Sequence, residues 1–329
     1  MMTHSLLTAA LSISWFGILS HCPAIAQLTP DTNWGTENST VTPNAIVQGQ
    51  PAILIQGGAI RNSNLFHSFQ TFNVGTGERV YFANPTGIQT ILSRITGNTP
   101  SNILGTLGVN GSANLFLINP NGILFGANAQ LAVNGSFVAT TANAIQFGDQ
   151  GFFTVSDPPA PALLTINPSA FLFNQVATGR IENQSVAPAG IDPAGFNRSG
   201  LRVADGHSLL LVGGDVLLNG GRVSAVGGHV ELAGIRGTGS VGFAIDNPMM
   251  RLEVPEAIAR SDVILTRGAD VYVRASGGGN IRVIAQDFQM SNDSSLRAGI
   301  PGNSGFLGAQ AGSIEIDARG ETRLTSNSS

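Results

Sequence analysis

Gly279-Asn280-Ile281-Arg282-Val283-Ile284-Ala285 returns 33 residues later as Gly312-Ser313-Ile314-Glu315-Ile316-Asp317-Ala318. In both copies apolar and polar residues alternate, the pattern of a β-strand with one row of side chains in a core and the other in water. The segments that trail them match as well, Met290-Ser291-Asn292-Asp293-Ser294-Ser295 with Leu324-Thr325-Ser326-Asn327-Ser328-Ser329. A looser version lies upstream in Val212-Gly213-Gly214-Asp215-Val216-Leu217-Leu218 and Val226-Gly227-Gly228-His229-Val230-Glu231-Leu232. A strand-and-turn unit repeating at this period is the mark of a solenoid. It predicts an all-β chain wound as a single-stranded parallel β-helix, each coil turning apolar side chains inward and pairing its backbone with the coils on either side. A β-sandwich would also show short strands and frequent turns, but not a repeated unit in constant register.

The rest of the chain agrees. Runs such as Ala52-Ile53-Leu54-Ile55, Arg79-Val80-Tyr81-Phe82, Asn114-Leu115-Phe116-Leu117-Ile118 and Ser208-Leu209-Leu210-Leu211-Val212 have strand length, separated by Gly, Asn, Pro and Ser. Only Val254 to Arg260 reads as a short helix, with Pro early, Glu in the first turn and Arg in the last. The chain stops inside a repeat at Ser329, with no polar capping segment, so a truncated or partial chain is expected.

Glycine accounts for 42 of 329 residues, nearly twice the usual share of roughly 7%, whereas charged residues make up 11%, under half the usual share of about 25%. All sixteen basic residues are arginine, which excludes Schiff-base, P-loop and general-base lysines. A net charge of −4 offers no basic field for phosphates, so nucleic acid is not an expected partner.

At the N-terminus, Leu6 to Ser20 has the length and apolarity of a signal-peptide core, and Ala24-Ile25-Ala26 is a small-x-small cleavage site leaving Gln27 first. Residues 1–26 are therefore expected to be an export signal. The single cysteine, Cys22, falls within it, so the mature chain would carry no disulfide although its compartment permits them. Residues 27–245 are expected to form a first domain, and residues 246–329 further β-helix repeats cut short.

Between Arg94 and Asp149 no residue is formally charged. At the centre of this segment Asn119-Pro120-Asn121-Gly122-Ile123 has the composition of a type I turn, with Asn119 able to bond back to its own backbone. Related pieces are Asn84-Pro85-Thr86-Gly87-Ile88 and Asn167-Pro168-Ser169-Ala170-Phe171-Leu172-Phe173. The stretch Asn114 to Gly126, followed by Gly135-Ser136-Phe137-Val138-Ala139-Thr140-Thr141-Ala142, resembles the secretion domain of filamentous-haemagglutinin-like exoproteins, the secreted partners of bacterial two-partner secretion. Asn64 to Phe72 and Ile91 to Gly97 support the resemblance, which is dense from Asp31 to Ala144. A second family motif of NPNL type has no strict copy, and Asn84, Pro85 and Gly87 are its nearest counterpart. The resemblance implies a right-handed β-helix, export as an unfolded chain through an outer-membrane barrel transporter with POTRA domains, and delivery to the cell surface. Asn119 to Ile123 would either contact the transporter or nucleate folding, and coil-by-coil burial outside the cell would supply driving force at roughly 25 cal/mol per Å². A surface adhesin fragment binding a glycan or protein receptor on a host or neighbouring cell is the companion reading, with the binding activity in further sequence.

Other chemistry finds little footing. Gly237-Thr238-Gly239-Ser240-Val241-Gly242 fits a dinucleotide pattern, with Asp262 at ribose distance in sequence, but lacks the helix the motif must open. His67, His207 and His229 have no metal-ligand spacing and are read as surface or corner residues, and His4 and His21 lie in the export signal. Gly277-Gly278-Gly279-Asn280 lacks the aspartate of a calcium-binding repeat. Glycan-cleaving enzymes also use β-helices, and Asp262 with Asp270 or Asp287 with Asp293 are the close acidic pairs to test. No enzyme activity, metal or small-molecule cofactor is expected.

Overall fold

Alternating side chains close this chain into a tube because one row of each strand is apolar and short turns force a new direction after every few residues. The computed structural model describes residues 27–156, 160–174, 179–246, 248–302 and 304–325. The expected signal with Ala24 and Ala26, Cys22, and the last residues of the trailing repeat lie outside them. Three parallel faces build the helix. The first carries Asn64–Asn73, Thr90–Ile95, Asn114–Ile118, Phe137–Thr140, Ser208–Gly213, His229–Gly234, Asn280–Ala285 and Ile314–Ala318. The second runs from Ser101–Ile103 through Ile123–Phe125, Ile181–Asn183, Val216–Asn219, Val263–Thr266 and Phe288–Ser291 to Thr322–Thr325. The third begins as Gln50–Gly57, Arg79–Ala83, Thr106–Asn110 and Gln130–Ala132, and continues as Leu201–Arg202, Arg222–Ser224, Asp270–Tyr272 and Ser295–Arg297. The chain is thus a right-handed parallel β-helix. Its N-terminal end is closed by antiparallel strands, Gln27–Pro30 on the first face and Ser39–Val47 on the third.

Inside the tube, Leu65, Ile91, Leu115, Phe137, Leu209, Val230, Ile281 and their counterparts on the other faces form one continuous core. Outside the first face a second core exists, because two insertions leave the helix after Thr140 and after Gly234. They meet as a five-stranded antiparallel sheet, in the order Phe152–Thr154, Ala144–Gln146, Ala170–Phe173, Gly239–Asp246 and Met249–Glu253. That sheet covers Phe66, Leu92, Phe116, Ile118, Val138 and Ile284, which point outward from their coils.

The 33-residue offset is present, with Ile281 beside Ile314, and Met290 lies beside Leu324 at an offset of 34. It is the longest uninterrupted coil rather than the general repeat, since Asn64, Thr90 and Asn114 stack at offsets of 26 and 24 residues and Ser208 and His229 at 21. The looser repeat is not in register: Val216 lies on the second face beside Val263, whereas Val230 lies on the first beside Leu209.

Val254 to Arg260 is not helical. Ile258 N–H donates to Pro255 O (3.2 Å), closing a single turn, and buried Ile258 anchors it in the second core. One hydrogen bond cannot repay the cost of nucleating a helix. Among the described residues the only helical turn is the short 3-10 segment Gly35–Glu37.

Candidate functional site

Asn119 directly follows the first-face strand Asn114–Ile118 and Ile123 begins a second-face strand, so the motif is the corner between them. Its side chain is fully buried. The Asn119 amide Nδ2 donates to Thr99 O and to Ser101 Oγ, both at 3.0 Å. Its Oδ1 accepts from the backbone N–H and the side-chain amide of Asn121, also at 3.0 Å each. Asn121 is exposed, yet its Nδ2 also donates to Gly97 O at 2.8 Å, so both amides are spent on the corner and the coil before it. Gly122 closes the turn, donating to Asn119 O (3.1 Å) at φ +114, a backbone region natural only for glycine. The coil beyond packs equally close: Ile123 N–H donates to Arg180 O (3.0 Å), and a Cβ at Gly179 would overlap the Pro120 carbonyl oxygen.

The related corner at Asn84 works in the opposite direction. Half-buried Asn84 donates from Nδ2 to Ile88 O (3.1 Å), and its Oδ1 accepts from the backbone N–H groups of Ser112 (2.9 Å) and Ala113 (3.0 Å) on the following coil. Pro85 and Gly87 are exposed at the turn, with Gly87 at φ +89. The two motifs therefore hold the same coil, residues 90–113. Asn84 grips its end from one side, and Asn119 with Asn121 grip its middle from the other. Neither turn composition reveals this, because the partners Gly97, Thr99, Ser101 and Ser112 are chosen by coil length. The third piece, Asn167 to Phe173, is not a helix corner at all, since it enters the insertion strand Ala170–Phe173.

A buried cation in the same region left no local signal in the sequence. Arg94, 1% exposed, is sandwiched between the rings of Trp34 (5.0 Å) and Phe153 (4.7 Å), and its Nε donates to Ser68 Oγ (2.9 Å). It joins the N-terminal cap, a helix strand and the first insertion.

The acidic pairs singled out for testing are each engaged with other partners. The Oδ1 of Asp262 accepts from Asp287 N–H (3.1 Å) and that of Asp287 from Glu321 N–H (2.8 Å), so both cap the coil beyond. Asp270 accepts from Ser295 Oγ (2.7 Å) and pairs with Arg297, while Asp293 sits in a turn at φ 60. Two histidines depart from their expected surface place. His67 is wholly buried inside the tube, and His229 is buried beneath the insertion sheet, its ring Nε2 bonded to Glu231 Oε1 at 2.8 Å. Alternation predicts the first, because His67 shares inward parity with Leu65 and Phe69. Among the described residues no three His, Asp or Glu side chains converge as a metal ion would require. Gly237 to Gly242 runs into the hairpin Gly239–Asp246 and Met249–Glu253.

Residues 26–283 match the family described as the TPS secretion domain. Over 83 residues the chain is 32% identical to the Heme/hemopexin-binding protein of Haemophilus influenzae, covering 25% of this chain and 9% of that protein. The HMW1 secretion domain from Haemophilus influenzae superposes with a TM-score of 0.62 at 21% identity, covering 91% of this chain and 65% of that one. The filamentous hemagglutinin secretion domain gives a TM-score of 0.47 at 15% identity, over 92% of this chain and 97% of that one. The chain thus spans a small part of the curated relative and about two thirds of the first solved structure.

Proposed function

The chain belongs to the TPS secretion domain family, and from that membership we propose that residues 27–245 direct export through a cognate outer-membrane transporter whose POTRA domains read the chain while it is still extended. TPS secretion domains act with a partner transporter, and the proteins that carry them are exported and secreted; the family is not an enzyme family. The observation that supports early reading is the fate of Asn119. Once folded, its side chain is buried and its amide is committed to Thr99, Ser101 and Asn121, leaving nothing for a transporter to grasp. Recognition therefore precedes folding, and the same residues then close the corner outside the cell. Asn84, Pro85 and Gly87 secure the other end of coil 90–113, making it the piece on which later coils are laid. Residues 246–329 are the first coils beyond this unit.

Asn119→Ala leaves Thr99 O and Asn121 N–H without their partner, at a cost of roughly 1–3 kcal/mol. In cells containing the cognate transporter, the variant is expected to be made normally but to lose most of its export, and the purified variant to unfold at lower urea. Wild-type export by Asn119→Ala and Asn121→Ala would refute the motif's role. Lost export with unchanged urea stability and refolding rate would assign the motif to transporter contact alone.

A further inference from the structure

Beside the hairpin Pro188–Ile191 and Asn197–Ser199, a cleft of about 660 Å³ opens over the corners that lead from the third face back to the first. Gly206 and Gly227, from successive coils, line it. The hairpin is firmly seated. Arg198 stacks on the Tyr272 ring at 3.9 Å and pairs with Asp192 at 3.1 Å, and Asp192 also accepts from Phe196 N–H at 2.8 Å. Phe196 nevertheless stands 55% exposed beside the cleft, with the Arg198 guanidinium 5.9 Å from the centre of its ring.

The charges in the cleft do not balance. Asp192 is neutralised by Arg198, and Asp205 by Arg202 at 2.9 Å. Arg274 lines the same cleft, and its Nη2 donates only to Ile300 O (3.2 Å) while Nε is buried with no acceptor. Arg274 forms no ion pair among the described residues, whereas Asp192 and Asp205 are matched by Arg198 and Arg202 from outside the lining, so its charge is the one in the cleft without a counter-charge. A guanidinium is matched best by a carboxylate, which takes two of its N–H groups at once. The ring of Phe196 offers a flat apolar surface, and exposed Ser276 a hydroxyl. We propose that this cleft binds a saccharide unit bearing a carboxylate, its ring laid on Phe196 and its acid group on Arg274. A single pyranose presents one apolar face, several hydroxyls and one charge, the set that Phe196, Ser276 and Arg274 match.

The proposal uses none of the corner residues of the export reading and stands or falls apart from it. Calorimetry on the purified full chain would compare trigalacturonate with its methyl ester, which keeps the rings and removes the charge. Trigalacturonate is expected to bind roughly tenfold or more tightly than the ester, a gap of about 1.4 kcal/mol. Arg274→Gln should erase that gap, and Phe196→Ala should weaken both ligands by a similar factor. Equal affinity for acid and ester, no binding in the millimolar range, or equally tight binding of triglutamate would each overturn it. Phe196 is a surface side chain, so its variant remains informative if Arg274→Gln fails to fold.

Discussion

Phe243→Ala is expected to lower the unfolding free energy by roughly 3–5 kcal/mol, the range found when a large buried aromatic is truncated. Phe243 belongs to the second insertion, is 6% exposed, and meets Phe116 of the helix edge-on at 5.7 Å and Phe171 of the first insertion at 5.2 Å. Three segments far apart in sequence thus depend on one ring. The backbone repeats the arrangement, because Ala170–Phe173 finds its outer partner only in Gly239–Asp246. Phe116 therefore lacks its final cover until the second insertion, residues 239–253, is in place, whereas Phe66 is already covered by Phe147 and Phe153 of the first. Urea titration of the variant, with limited proteolysis, checks this. The midpoint should fall and residues 144–174 should become the first site of cleavage, as the helix coils keep their own core. An unfolding free energy within about 1 kcal/mol of wild type would show that the two insertions are held independently of the ring.

How much of this was legible in the sequence varies from element to element, for physical reasons. The pairing of Ile281 with Ile314 was legible because that coil lacks an insertion and its alternation is clean. The insertions were not, since 144–173 and 239–253 have the composition of the coils they leave, and their mutual pairing spans about seventy residues that no local period connects. Part of the outer row of the first face is consequently dry rather than wet: Ile284 is buried under the insertion sheet. The turn at Asn119 could be read from Pro120 and Gly122. Its depth could not, because Asn119 bonds to Thr99 and Ser101 only once the preceding coil has run its length. The short helix expected at Val254 to Arg260 failed through scale, a correct set of end residues enclosing too few hydrogen bonds.

Acid is expected to weaken the fold through His67. Burial holds its imidazole far below the ordinary value of 6.5, down to about 3. The groups against it are the Ser39 hydroxyl at 3.0 Å from Nδ1, the Phe69 and Phe82 rings and the Gly58 backbone, none of which titrates in this range, while Nε2 has no partner. The unfolded chain therefore binds this proton below about pH 6.5, where the folded chain does not. Stability from the neutral ring is complete above pH 6.5, declines by about 1.4 kcal/mol per unit as the pH falls, and stops declining only near the folded value of about 3. Between pH 7.5 and pH 4 that amounts to roughly 3 kcal/mol. His67→Leu keeps an apolar side chain of similar bulk in the tube and removes the proton, so its unfolding free energy, from urea titration, should change less over the same interval by that amount. The Ser39 hydroxyl still accepts from Ser68 N–H in the variant, which keeps the cost at neutral pH small. Parallel losses in the two proteins would mean that the imidazole reaches water, and that the closed N-terminal end of the tube opens before the histidine is charged.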